Sequence, residues 1–246
     1  MASPDYSERF PKNTINVNHA PYFPKSIRCV IAGSSGSGKT NLMMHFLIQP
    51  GMLDYSDVYI YSTTIYQPAY EYLRQYYSEK EMKIKQVCGI SHKIAHFIEV
   101  NGEKDKTGEL LDPSTLDRTK SHVMIFDDVM HDDQSIIKTY YCRGRHNSVN
   151  LFYLVQSLHK IQKHSIRQNA NVFILFEQDV KTLKYFWETH ISGDMYFKEF
   201  ESFCYKVWSK GHGFVVINLW EQPYCGKYVA NYLNIYVPNK YTNNNK

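Results

Sequence analysis

The chain alternates short apolar runs with longer segments in which apolar and polar residues recur at helical spacing. The apolar runs predict β-strands at 27–32, 57–62, 122–127, 150–155, 171–176 and 213–219. The longer segments predict helices at 39–48, 67–79, 134–143, 180–190 and 195–208. Strands that are apolar on both faces and separated by helices are typical of a parallel sheet covered on both sides. The pattern therefore predicts an α/β fold with a mainly parallel central sheet.

The two ends of the chain do not share this pattern. Residues 1–25 are polar and rich in proline, so we expect an extended N-terminal arm. Residues 26–236 would form a single domain, with the lysine-rich and less regular stretch 80–121 as an insertion. Residues 237–246 are low in complexity and are expected to be a flexible C-terminal tail.

Composition excludes several classes of protein. Of the 246 residues, 43% are hydrophobic and 21% charged, which is ordinary for a soluble globular chain. The first residues lack the apolar core of a secretory signal, and no apolar run approaches the ~20 residues of a membrane span. The five cysteines form no CxxC pair, which favours free thiols in a reducing compartment. We expect an intracellular protein that is neither secreted nor membrane-bound, and the net charge of +4 only weakly favours a polyanionic partner.

The stretch "GSSGSGKT" follows the first predicted strand and opens the first predicted helix. It fits the phosphate-loop pattern G-x-x-x-x-G-K-[ST], whose glycines let backbone N–H groups surround a phosphate at a helix N-terminus. A flexible linker would have no reason to lie between a buried strand and an amphipathic helix. Lys39 would reach the β- and γ-phosphates, and the Thr40 hydroxyl would bind Mg²⁺. The predicted nucleotide-binding residues are Gly33, Ser34, Ser35, Gly36, Ser37, Gly38, Lys39 and Thr40.

Two acidic residues end another predicted strand, in "HVMIFDD". Ligands of open α/β sheets bind at the carboxyl ends of the strands, where Asp127 and Asp128 would lie. Asp127 would hold Mg²⁺ through water, and Asp128 would orient or deprotonate the attacking water. The alternative is a solvated turn after a strand, which the phosphate loop upstream disfavours.

Polar residues flank the next strand on both sides. Gln156 follows the strand and would sense the γ-phosphate or position water, unless it is only a polar strand end facing solvent. Arg143 and Arg145 precede the strand, so they would lie at the opposite edge of the sheet. There they would reach only a neighbouring subunit's phosphates, as arginine fingers. Without further support, the residues themselves favour the alternative that both are surface cations at a helix C-terminus.

The stretches "IAGSSGSGKT", "IFDDV", "RGRHNSVNLFYLVQSLHKI" and "IRQNANVFILF" together resemble the poxvirus-type viral genome-packaging ATPases of the FtsK–HerA superfamily, over residues 26–178. The order of the four motifs carries the resemblance, since a phosphate loop alone is common to many families. It implies a P-loop NTPase with a RecA/ASCE-like three-layer sandwich. It also implies that Gln156 is a sensor and Arg145 a finger across the subunit boundary, with Arg143 and Arg167 as further candidates. Many superfamily members have Asp-Glu where this chain has Asp127 and Asp128.

The resemblance further implies partners and a cellular setting. The ligands would be ATP and Mg²⁺, and a homo-oligomeric ring of five or six subunits would surround double-stranded DNA. Capsid vertex proteins would be further partners, in the host-cell cytoplasm, a viral factory or the virion. A translocating motor grips the DNA backbone without reading sequence, so its contacts should be basic. Two groups of residues are candidates for these DNA contacts, with an ordinary solvated surface as the alternative for both. They are His159, Lys160, Lys163 and His164, and Lys80, Lys83, Lys85 and Lys93.

Three other functions share parts of this pattern. A nucleoside or nucleotide kinase also has a phosphate loop, but it should carry clustered arginines in a lid, and the last arginine here is Arg167. A GTP switch needs Asn-Lys-x-Asp, and the nearest match, Asn239 to Thr242, lacks the aspartate. A non-packaging DNA pump usually carries membrane spans or large extra domains. The leading hypothesis is an ATP-driven DNA translocase for genome packaging.

Overall fold

One β-sheet organises the part of the chain that the structure describes. The computed structural model describes residues 17–85, 94–99, 111–130, 134–161, 163–232 and 234–242. Within these ranges a nine-stranded sheet has the order β3-β2-β4-β5-β1-β6-β7-β8-β9. Its strands are β1 (Arg28–Ala32), β2 (Asp57–Ser62), β3 (Ile94–Glu99), β4 (His122–Asp127), β5 (Val149–Val155), β6 (Val172–Leu175), β7 (Val215–Asn218), β8 (Tyr228–Ala230) and β9 (Asn234–Tyr236).

Helices cover both faces of this sheet. They are α1 (Lys39–Ile48), α2 (Pro68–Lys85), α3 (Ser135–Arg143), α4 (Val180–His190), α5 (Phe197–Trp208) and the short α6 (Asn239–Thr242). Side chains of α1 and α2 belong to one apolar core, and those of α3, α4 and α5 belong to the other. The inner strands are buried along their whole length on both faces, as in other sheets covered by helices on both sides. The three-layer α/β sandwich predicted from the sequence is confirmed.

The direction of the strands determines which strand ends lie next to one another. Strands β1 to β6 pair in parallel, with β5 between β1 and β4. In register, Ala32 pairs with Val155 and Asp127 with Leu154, so three carboxyl ends meet at one edge of the sheet. Strands β7 to β9 are antiparallel and extend the sheet beyond β6.

The helices and strands with a strong apolar pattern were predicted correctly, and the strands with a weaker pattern were missed. All six predicted strands and all five predicted helices are present, with bounds that agree to within about two residues except at the end of α2, which was predicted at 79 and extends to Lys85. Strand β3 was not predicted, because it is a partly exposed edge strand whose apolar signal is diluted by polar and lysine-rich flanks. The expected insertion 80–121 therefore supplies the last turns of α2 and an edge of the same sheet; most of its remainder lies outside the described residues. The C-terminal part also has β8 and β9, where one last strand was expected.

The two expected extensions are partly structured. Of the expected arm, residues 17–25 pack on the core: Tyr22 and Phe23 are buried, and the Ala20 N–H donates to the Met52 carbonyl at 2.9 Å. The Phe23 ring lies 5.2 Å from that of Phe46 and 5.9 Å from that of Phe152. Aromatic burial of this kind outweighs the polar, proline-rich composition around it. Of the expected tail, residues 239–242 form α6, and the described helices include none that is long and apolar enough to cross a membrane.

We predict that Phe23→Ala lowers the free energy of unfolding by about 3–5 kcal/mol, because it leaves a cavity between α1 and β5. Equilibrium denaturation in urea measures the change. Lys25→Ala, at an exposed position two residues away, is the control and should stay within about 0.5 kcal/mol of the unmodified chain. Equal stability of the two variants would mean that residues 17–25 do not pack as the structure shows.

Candidate functional site

A cleft of about 400 Å³ opens where the carboxyl ends of β1, β4 and β5 meet. Its walls combine residues from distant parts of the sequence: Ser35, Gly36, Gly38, Lys39, Thr40, Asn41, Thr64, Gln67, Asp127, Asp128, Leu154 and Gln156. Among the described residues, the structure thus brings together the predicted loop, the acidic pair and the strand-end glutamine. Its polar lining and position match the ligand crevice of open α/β sheets.

The loop 33–38 connects β1 to α1 and takes its shape from the glycines. The Gly33 N–H donates to the Val155 carbonyl at 3.1 Å, which anchors the loop to β5. Gly36 and Gly38 have φ of +75° and +105°, which side-chain-bearing residues rarely adopt. Helix α1 begins directly after Gly38, and its first N–H groups, with the dipole, favour an anion at this point.

Lys39 folds back over this loop. Its Nζ donates to the Gly33 carbonyl at 2.8 Å and to the Ser34 carbonyl at 2.9 Å. Burial lowers the pKa of the Lys39 ammonium, and the nearby carboxylates of Asp127 and Asp128 partly oppose this shift. A positive charge is thereby held directly beside the loop.

Asp127 is the buried acid of the site. Its Oδ2 accepts hydrogen bonds from Tyr70 Oη at 2.6 Å and from Thr40 Oγ1 at 3.1 Å. Burial raises the pKa of the Asp127 carboxyl, and the hydrogen bonds from Tyr70 and Thr40, with the charge of Lys39, partly offset the rise. A carboxylate next to a hydroxyl suits Mg²⁺, which takes few protein oxygens and completes its shell with water and phosphate. The described residues contain no group of three or more His, Cys, Asp or Glu side chains able to hold a metal by themselves.

Asp128 and Gln156 lie side by side in the lining of the cleft. Gln156 Nε2 donates to Asp128 Oδ1 at 3.0 Å. Asp128 has φ of +57°, a left-handed conformation that turns the chain away from β4, and aspartate tolerates it better than most residues. Thr63 Oγ1 donates to the Asp128 carbonyl at 3.1 Å, which fixes this turn from the end of β2. The carboxylate and the amide together form a polar part of the lining that Lys39 also contributes to.

Sequence reasoning missed the residues that support the acidic pair. Thr63, Thr64 and Gln67 follow β2, and Tyr70 lies in the first turn of α2. Gln67 Nε2 lies 3.5 Å from Asp127 Oδ2. The available signal was that β2, as another parallel strand, would end at the same edge as the acidic strand. Polar residues at 63–67 could have been assigned to the cleft on that ground.

One further contact comes from the C-terminal part of the chain. His212, in the turn between α5 and β7, has its Nδ1 3.1 Å from the Ser37 carbonyl oxygen. The residue is exposed and has φ of +50°. No sequence pattern indicated that this turn would touch the loop, because the contact spans 175 positions of the chain.

The arginines do not reach the cleft. Arg143 ends α3 and Arg145 lies in the 3₁₀ turn Gly144–Asn147, so both precede β5 and lie about 20 Å from its other end. Both are exposed, and Arg145 Nε lies 3.3 Å from His146 Nε2. The Arg167 guanidinium lies 5.0 Å from the Tyr185 ring, on α4. The structure agrees with the predicted positions of Arg143 and Arg145 at the edge of the sheet opposite the cleft.

Among the lysine and histidine candidates for a DNA-binding surface, the structure describes the side chains of two. His159 and Lys160 are exposed in the 3₁₀ turn Leu158–Lys160, two residues beyond Gln156. Lys163 and His164 lie in a π-helical turn, and Lys80, Lys83 and Lys85 lie in α2, but their side chains are outside the described part. Lys93 is wholly outside it.

Comparison with solved structures shows the fold. The genome packaging NTPase B204 of Sulfolobus turreted icosahedral virus 2, in complex with sulfate, aligns with a TM-score of 0.55 and 15% identity, over 87% of this chain and 100% of that one. The same protein in complex with AMP aligns with a TM-score of 0.51 and 13% identity, over 85% and 98%. No protein-family model and no curated protein matches the chain. At this identity the likeness shows the α/β fold of a P-loop NTPase.

We predict that Gly33→Ala lowers the free energy of unfolding by about 1–3 kcal/mol, because the loop is closely packed there. A Cβ at this position would lie 2.6 Å from Ser37 Oγ and 2.7 Å from Phe176 Cβ. Gly193→Ala, where an added Cβ meets nothing within 4 Å, is the matched control and should change stability by less than about 0.5 kcal/mol. Urea denaturation compares the two, and an unchanged Gly33→Ala variant would contradict the packing of the loop.

Proposed function

We propose that this chain is an ATP-driven translocase of double-stranded DNA that packages a viral genome into a preformed capsid, as one subunit of a ring that hydrolyses ATP at its subunit boundaries. The observation that carries the proposal is the cleft, where a phosphate loop, a buried carboxylate beside a hydroxyl, and an acid–amide pair converge. Fold likeness to a genome packaging NTPase, one structure of which is in complex with AMP, supports the same interpretation. So does the order of motifs along residues 26–178.

The site residues divide into binding and hydrolytic groups. The backbone of 33–38 and the first turn of α1 would bind the phosphates, and Lys39 would exchange its loop carbonyls for β- and γ-phosphate oxygens. Thr40 and Asp127 would hold Mg²⁺, which neutralises charge that develops on the phosphates. Tyr70 would fix Asp127 in place by its hydrogen bond to Oδ2.

Hydrolysis requires a positioned water next to the γ-phosphate. Asp128 and Gln156 both line the cleft and are joined by a hydrogen bond of 3.0 Å. Asp128 would accept a proton from the water, and the Gln156 amide would orient the water or register the γ-phosphate. The reach of Asp128 is short for a general base, but its left-handed turn projects it from the end of β4.

The arginines would act on a neighbour. Arg145 and Arg143 are exposed at the edge opposite the cleft, and the length of β5, about 20 Å, separates them from its end at the cleft. In a ring, that edge would face the next subunit's cleft, where an arginine would stabilise charge in the transition state. Each active site would thus be completed by two subunits. Exposed His159 and Lys160 would contribute sequence-independent contacts to the DNA backbone.

The function is tested by measuring size and ATP hydrolysis in the same samples, with and without double-stranded DNA. We expect hydrolysis to rise with oligomer formation and again with DNA, and the DNA effect to weaken as salt increases. A chain that hydrolyses ATP equally well as a monomer and ignores DNA would contradict the proposal. Phosphate transfer to a free nucleoside would favour a phosphotransferase instead.

We predict that Arg145→Ala reduces hydrolysis about 10³- to 10⁵-fold while nucleotide binding persists, because the charge is needed only in the transition state. Arg118→Ala, at another exposed arginine of the described chain, is the control and should keep full turnover. Mixing Arg145→Ala subunits with Lys39→Ala subunits should restore part of the activity, since one supplies the loop and the other the arginine. Full activity of Arg145→Ala alone would remove the residue from this role.

A further inference from the structure

The turn that joins α5 to β7 reaches across the sheet to the phosphate loop. His212 Nδ1 lies 3.1 Å from the Ser37 carbonyl oxygen. A Cβ added at Gly38 would lie 3.5 Å from the same nitrogen and 3.6 Å from the Phe176 ring. The phosphate loop and this turn are thus in close contact, although several strands of the sheet lie between them in the sequence. Residues 209–213 have no role in the hydrolytic groups assigned above.

The turn is held in one conformation. Gly211 and His212 both have positive φ, of +60° and +50°. A Cβ at Gly213 would lie 2.1 Å from the Val207 carbonyl oxygen, so only glycine fits there. Before the turn, Trp208 Nε1 donates to the Leu175 carbonyl at 3.0 Å and anchors the end of α5 on β6. A left-handed, non-glycine residue fixed from both sides costs stability, and such residues concentrate at binding sites.

The loop has two different sides. On the side of β4 and β5 lie the residues suited to metal binding and hydrolysis, Asp127, Asp128 and Gln156. On the side of β6 and β7 the neighbours of Gly38 are Phe176, which is buried, and His212, which is exposed. The γ-phosphate must face the hydrolytic side, and a nucleoside triphosphate is long enough that its base must leave on the other side. That side is where His212 stands.

We propose that His212 contacts the nucleoside half of the bound nucleotide, with its imidazole ring stacked on the base. The assignment rests on the proposed function, since it takes the direction of the nucleotide from the hydrolytic groups. The Ser37 carbonyl can only accept a hydrogen bond, so His212 Nδ1 carries the proton and donates. Nε2 and the exposed ring face then remain for a ligand, and a flat ring stacks on any base.

Binding of three probes tests the assignment: ATP, AMP and inorganic triphosphate, each titrated by calorimetry. The variant His212→Asn removes the ring but keeps a residue that tolerates positive φ and an amide donor for the Ser37 carbonyl. We expect it to weaken ATP and AMP roughly tenfold and to leave triphosphate within about twofold. His212→Gly, which also removes the donor, should weaken the nucleoside ligands at least as much. Lys210→Ala, in the same turn, is the control and should bind all three as the unmodified chain does.

Each outcome decides between separate claims. Equal weakening of ATP and triphosphate by His212→Asn would show that the residue only positions the loop, and the nucleoside contact would be overturned. Unchanged binding of all three probes would overturn it as well. Both results leave the proposed ATPase standing, because the unmodified chain still binds ATP. Failure of the unmodified chain to bind any probe would overturn the proposed function and this assignment together.

Discussion

A buried carboxylate joins the parts of this molecule that bear on its site. Asp127 is the last residue of β4. Its Oδ2 accepts hydrogen bonds from Thr40 at the start of α1 and from Tyr70 at the start of α2. Burial opposes ionisation of the carboxyl, and the two hydroxyl donors with the Lys39 charge oppose that effect. The start of α1, the start of α2 and the end of β4 are therefore held together at this one carboxylate. Because the loop 33–38 leads directly into α1, its end is held beside the acid.

The sequence predicted what depends on local pattern. Apolar runs located the inner strands, and the glycines with Lys39 and Thr40 located the loop, because a phosphate cradle needs those residue types at that spacing. The position of Gln156 followed from the parallel direction of β5. Tyr70, Thr63 and His212 could not be found in this way, since they reach the site only through pairing and packing of distant segments. Edge strand β3 escaped because a partly exposed strand carries little apolar signal.

The parallel sheet also separates two chemistries. The phosphate loop, the two acids and the Gln156 amide lie at the carboxyl ends of the parallel strands. Arg143 and Arg145 lie at the amino end of β5, so the length of the fully buried strands separates the two sets. No rearrangement of side chains bridges a separation of about 20 Å within one subunit. Any joint action of the two edges therefore has to occur between copies, so the chemistry of the proposed motor is tied to its assembly.

Lys39 has one more consequence for the loop. Its ammonium donates to the carbonyls of Gly33 and Ser34, the first two residues of the loop, while its backbone begins α1 directly after the last. The side chain therefore ties the two ends of the loop to each other. The curvature of the loop depends on this charge as well as on the glycine dihedrals, so loss of the ammonium would remove part of the loop's shape together with its positive charge.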